Sequence, residues 1–200
     1  VLRPDHEPIG ALRARLAQRV PAITSVLERI ARTDLISYEH AVATGVLAGR
    51  VAAHMGCSRT DIADAVSVGI LHEAAVLEVD QLTEADILRA SPSKLFELNR
   101  RERALAVAIV QGDERTADLA GLVGSHFDDI APSVVTRIVV VADIYDYMTR
   151  AWPHRPGLTS ADALRILSEV VGVRYDRTIV AALSATLYGD ASTWIEGPGA

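Results

Sequence analysis

The chain has 200 residues, half of them apolar, with a net charge of −6; one full core fits this length. An acidic balance excludes generic attachment to nucleic acid or anionic lipid, which relies on clustered cations. Apolar runs such as Ile138 to Ala142 fall far short of the about 20 residues that cross a bilayer, and the single cysteine, Cys57, excludes an internal disulfide or a Cys-based zinc site and points to a reducing, cytoplasmic setting.

The chain opens on Val1 in a polar stretch with no signal-peptide pattern, which reads as a piece of a longer protein with a further domain upstream. Leu12, Leu16, Val20, Ile23, Leu27 and Ile30 recur at helical spacing and predict a lead-in over residues 1–36, broken or kinked near Pro21. Its apolar face can pack on its own bundle or on a second subunit, which would make a homodimer. From Tyr38 to Met55 the chain is rich in Ala, Gly and Val, small residues that let helices approach closely, with Gly56 as C-cap. Ser58 opens the next helix, with Asp61 in a capping role and apolar residues through Leu71.

A less regular stretch is expected from Val76 to Lys94, with a turn at Ser91-Pro92-Ser93 before a helix over 95–111. In that helix Arg100, Arg101 and Arg103 alternate with Glu97 and Glu102, the pattern of a solvated face. A short helix is predicted over 114–123. The strongest stripe runs from Ser133 to Arg150, through Val134, Ile138, Val141, Tyr145 and Met148, and should lie deep in the core. After a turn from Trp152 to Gly157, Thr159 caps a helix reaching about Val171, and a last helix spans 177–188. Residues 190–200 form a tail with little to hold it. Nothing alternates in strand fashion, so the predicted class is all-α.

Asp143 interrupts the most apolar helix of the chain, where an unpartnered carboxylate is costly to keep charged. His40 and the adjacent His72-Glu73 sit in similarly apolar or small-residue surroundings. Two imidazoles and two carboxylates make a ligand set for one divalent metal ion. Taken singly, each residue has a plainer explanation: a hydrogen-bonded core histidine for His40, a helix end for His72-Glu73, and a salt bridge to Arg137 or Arg150 for Asp143.

Their order changes the balance. A His, a His-Asp doublet a little over thirty residues later and a distant Asp on a buried helix define the HD superfamily of metal-dependent phosphohydrolases, and this chain resembles that pattern at His40, His72-Glu73 and Asp143. The run Ala142-Asp143-Ile144-Tyr145-Asp146-Tyr147-Met148-Thr149, followed by Pro153-His154-Arg155, is similar to the HD-GYP branch of that superfamily. So are Ile87-Leu88, Pro92 to Leu95, Asp162-Ala163-Leu164 and the stretch from Gly172 through Tyr175-Asp176 to Val180. The resemblance implies an HD-domain-like helical bundle over residues 37–189, with a divalent metal (Mn, Fe or Mg) held by His40, His72, Glu73 and Asp143. His126 is a further ligand or else a capping or surface residue, and Asp146, Arg150 or Arg155 are candidates for leaving-group protonation or phosphate contact.

The departures are equally specific. Where the family has His-Asp-x-x-Lys, this chain has His72-Glu73-Ala74-Ala75-Val76, without the lysine. Ile36 and Ala106 stand where further metal ligands are expected, and Ser125 to Pro132 lacks the Gly-Tyr-Pro loop. The expectation is therefore a divergent signalling or regulatory domain with lost or weak cyclic di-GMP phosphodiesterase activity, acting as a sensing, dimerising or partner-binding module. The alternative is a working phosphohydrolase that uses a single metal ion on a nucleotide or cyclic dinucleotide.

Overall fold

The structure, a computed structural model, describes residues 8–78, 92–126, 132–153, 155–171 and 175–189. Its regular elements are helical: α1 (Ile9–Thr33), α2 (Leu35–His54), α3 (Arg59–Leu71), a 3-10 segment (His72–Leu77), α4 (Pro92–Gln111), a second 3-10 segment (Ala117–Leu119), α5 (Ala120–Ser125), α6 (Val134–Thr149), α7 (Ser160–Glu169) and α8 (Arg177–Tyr188). Among the described residues β structure is limited to two isolated bridges, Trp152 with Arg155 and Val171 with Tyr175. The protein is an all-α bundle, as its periodicity predicts. No described helix is long and apolar enough to cross a membrane.

The reversal between α2 and α3 follows from its residues. Gly56 takes φ 67°, its N–H donates to Ala53 O and the N–H of Cys57 donates to Ala52 O, both at 3.0 Å, which is the Schellman closure of a helix. Ser58 then caps α3: its Oγ accepts from Asp61 N at 3.1 Å and donates to Asp61 Oδ2 at 2.8 Å. The two helices run antiparallel and very close. A Cβ on Gly69 would sit 2.8 Å from Gly45 Cα, and one on Gly45 would sit 2.9 Å from Val66 O. That approach brings the start of α2 beside the end of α3. Against this pair lies α6, whose Ile138, Val139 and Ala142 are buried with Ala48 and Val51 of α2 and Val68 and Leu71 of α3.

Several elements differ from expectation. Helix α1 runs unbroken through Pro21, because that residue is exposed and its neighbours Arg19, Ala22, Ile23 and Ile30 are buried on one face. Tertiary burial outweighs the one lost backbone bond. Helix α4 starts at Pro92, not after it, since a proline suits the first turn, where no intrahelical donor is needed. The helix expected over 114–123 begins later, as a 3-10 turn followed by α5. Asp113 O captures the N–H groups of Thr116 and Ala117, and Thr116 Oγ1 donates to Val110 O at 2.9 Å, so the chain turns first. Helix α7 ends at Glu169, two residues short of Val171, which pairs with Tyr175 instead. The expectations on Ile87-Leu88, Ser91, 127–131, His154, 172–174 and the tail lie outside the described residues.

Arg19 links α1 to the bundle. Its side chain is 1% exposed and donates from Nη1 to Asp64 Oδ1 at 2.6 Å and from Nη2 to Asp118. Removing one partner of a buried ion pair strands the other, at about 3–5 kcal/mol. Arg19→Met is therefore expected to lower the urea midpoint sharply, with a loss near 3 kcal/mol because Asp118 remains solvated. Arg32→Ala, which breaks only the exposed pair with Glu28, should stay within about 0.5 kcal/mol of wild type. Equal midpoints for the two variants would rule out Arg19 as the tie.

Candidate metal centre

Four elements deliver the polar cluster. His40 comes from α2, the adjacent His72 and Glu73 from the 3-10 segment that follows α3, and Asp143 from α6. His126 comes from the C-cap of α5. All five meet. His40 Nε2 is 2.9 Å from Asp143 Oδ1 and 3.5 Å from Glu73 Oε1. His72 Nε2 is 3.7 Å from the same Asp143 oxygen and 3.8 Å from Glu73 Oε1. His126 Nε2 is 3.1 Å from Asp143 Oδ2.

Two overlapping triads result, His40-His72-Glu73 and His72-His126-Asp143, and in each the donor atoms lie within 4.8 Å of one another. Metal–ligand bonds of about 2.0–2.6 Å place any two ligands of one ion at most about 5 Å apart. Both triads satisfy that limit. His72 adds a second indication: its Nε2 is buried with no hydrogen-bond partner, and 3.7 Å is too long for one. A buried imidazole nitrogen aimed at two carboxylates without a bond is costly unless something else occupies it.

The second layer fixes the rings. His40 Nδ1–H donates to Asp146 Oδ2 at 2.7 Å, and His72 Nδ1–H donates to Gly69 O at 2.8 Å. In both rings the outer nitrogen is committed, so Nε2 is the atom presented to the cluster, the arrangement that orients metal-binding histidines. Asp146 is itself held by Arg150, from Nε to Oδ2 at 2.8 Å and from Nη2 to Oδ1 at 3.1 Å, while Arg150 also donates to Glu39 Oε2 at 3.1 Å.

Electrostatics follow from this packing. Burial alone would lower the His40 pKa, but its hydrogen bonds to Asp143 and Asp146, with the charges of Asp143 and Glu73, push it up to about 10. Burial tends to raise the Asp143 carboxyl, yet hydrogen bonds from His126 and His40, with the charge of the nearby His72, hold it well below its ordinary value. Burial dominates at His126 and lowers it. Glu102 on α4 is raised by burial and by the charge of Glu73.

The sequence candidates thus divide in three. His40, His72, Glu73, Asp143 and His126 converge. Asp146 stands behind His40 as its carboxylate partner, one helical turn from Asp143 on the same face. Arg155 lies apart, donating to the carbonyls of Tyr147, Met148 and Pro156, where it closes the end of α6. The salt bridge proposed for Asp143 does not form: Arg137 lies by Asp176 at 3.6 Å and Arg150 by Asp146.

Two residues near the cluster escaped the sequence reading. Glu102 shares a stripe with Ala106 and Val110, both buried, and that i, i+4, i+8 spacing was the available signal; the charged run is solvated only at Glu97, Arg100 and Arg101. Trp152 sets its indole edgewise to the His40 ring, with centroids 5.8 Å apart, and nothing in the periodicity of its turn announces this. No family model matches the sequence, and no curated protein matches it.

Proposed function

We propose that this chain is a divergent HD-type regulatory domain that binds one divalent metal ion through His40, His72, Glu73, Asp143 and His126 and turns over phosphodiesters weakly at most. The observation that carries this is the convergence of the five side chains around the buried, unbonded Nε2 of His72. Three imidazoles with two carboxylates favour manganese or iron over magnesium, which prefers all-oxygen sets.

An ion held there would supply Lewis acidity for activating water and polarising a phosphoryl oxygen. The chain's own residues do the rest. Asp146 and Gly69 O hold the two imidazoles in the metal-binding tautomer, and Asp143 offers Oδ1 to one side of the cluster and Oδ2 to the other. What is thin is cationic support for a phosphate. Val76 stands where the resembled family has its lysine, and Arg150 is committed to Asp146 and Glu39. A nucleotide or cyclic dinucleotide bound as a signal, with a protein partner or an adjoining domain as reader, fits these features better than efficient catalysis.

A single-ion phosphohydrolase is the second reading, favoured by the complete second layer behind His40 and His72. One experiment separates the two: elemental analysis after incubation with Mn²⁺ or Fe²⁺, followed by assays on cyclic di-GMP and a nucleotide. The expected result is one bound ion per chain, lost in His72→Ala, with turnover near background. Robust hydrolysis that disappears in His72→Ala would establish the enzyme instead, and no stoichiometric metal would end both readings.

A further inference from the structure

Beside the metal centre lies a short aromatic series that the ligand set does not use. Trp152 packs edge-on with His40 and, tilted, with Tyr147, with ring centroids 5.1 Å apart and planes inclined by 43°. The Arg155 guanidinium lies over the Tyr147 ring, 4.6 Å from its centroid. Tyr147 is 45% exposed, and Trp152 is partly exposed whereas His40 is buried. The series therefore runs from the surface to a metal-binding imidazole.

The turn that carries it is braced. Trp152 Nε1–H donates to Tyr147 O at 3.0 Å, the backbones of Trp152 and Arg155 exchange bonds at 2.9 and 3.1 Å, and Leu158 N donates to Met148 O at 2.9 Å. Gly157 packs so closely that a Cβ there would meet the Thr149 backbone. A ring held by this many bonds loses little freedom when a ligand stacks on it, which is the condition for an effective aromatic platform.

We infer that Trp152, supported by Tyr147, is a specificity-determining platform that stacks the planar heterocycle of a ligand whose phosphate reaches the metal ion. The inference rests on the metal-centre reading and adds to it the residue that would take the ring of the nucleotide proposed there. The indole and the His40 ring have centroids 5.8 Å apart, which sets the platform next to one of the proposed metal ligands. Every base has a π face, so the platform selects for a ring without choosing among bases.

The test uses the full chain loaded with Mn²⁺ and calorimetric titration of three probes: inorganic phosphate, ribose 5-phosphate and guanosine 5′-monophosphate. The expected result is that the nucleotide binds about tenfold tighter than ribose 5-phosphate, the scale of one base–aromatic stack. Trp152→Ala should erase that preference, read as the ratio of the nucleotide and ribose 5-phosphate affinities of the Mn²⁺-loaded variant, and Trp152→Phe should keep most of it. Equal binding of the two probes by the wild-type chain overturns the platform. So does a Trp152→Phe variant that weakens both probes alike, since the indole would then only shield His40. Failure of Mn²⁺ to bind at all is a separate outcome, one that removes the metal centre and this inference with it.

Discussion

Asp143→Ala is expected to weaken Mn²⁺ binding by at least about 100-fold, because loss of even an outer-layer partner of a metal ligand costs about 10–100-fold and Asp143 bonds His40 and His126 directly and faces His72 at 3.7 Å. The same variant should change how His40 titrates. In the wild-type chain that imidazole is held up to about 10, burial being outweighed chiefly by hydrogen bonds to Asp143 and Asp146. Without Asp143, burial counts for more and the pKa falls. The sign of the wild-type pH dependence follows. Charged His40 stabilises the metal-free fold fully below its unfolded pKa of about 6.5, and that contribution is lost as pH rises through about 10. Metal binding runs the other way, since the ion must displace the proton on Nε2: affinity should rise roughly tenfold per pH unit for each proton released. Titrations in buffers of different ionisation enthalpy, with NMR of the imidazole protons, measure both effects. An affinity flat between pH 6 and 9, or an unshifted His40 in the variant, would contradict this account.

The second large effect is expected at Gly69, through packing alone. A methyl group there would stand 2.8 Å from Gly45 Cα, 3.0 Å from Gly45 N and 3.2 Å from Thr44 C, all backbone atoms of α2 with no rotamer to yield. Replacing glycine by alanine inside a helix ordinarily gains about 1 kcal/mol. Here the two helices must move apart, and overpacking of a tight core costs about 1–3 kcal/mol or more. A net loss of about 2 kcal/mol is expected, read as a fall of roughly 2–4 °C in melting temperature per kcal/mol for a chain of this size. Metal affinity should fall as well, because Gly69 O holds His72 and α2 carries His40. Gly121, where a Cβ would meet nothing within 4 Å, is the control: Gly121→Ala should melt at or above the wild-type temperature. If Gly69→Ala behaved like Gly121→Ala, the close approach of α2 and α3 would be wrong.

Much of this architecture is legible along the chain because the signals are local. Gly56 and Ser58 mark a helix end and a helix start by their backbone and side-chain chemistry, and both act as their residue types require. The stripe of α6 is visible because its buried face, with Val135, Ile138, Val139, Val141, Ala142 and Tyr145, is apolar enough for Asp143 to stand out against it. Signals failed where a residue's surroundings outweighed its own preference. Pro21 breaks helices in isolation, but α1 is fixed by what it buries, and Pro92 begins a helix that its neighbours in sequence suggested it would precede.

Sequence by itself determined that the chain is all-α, where most helices start and stop, and which buried-looking imidazoles and acids stand out against apolar surroundings, since propensity, capping and periodicity act over only a few residues. Tertiary structure alone decided which of those side chains meet. Convergence of His40, His72, Glu73, His126 and Asp143 depends on how closely α2 can approach α3 at Gly45 and Gly69 and on where α6 crosses them. The part taken by Asp146 behind His40, the tie made by Arg19 and the position of Trp152 are likewise set across 45 to 112 residues of chain, distances over which side-chain contacts are fixed by packing and leave no periodic trace.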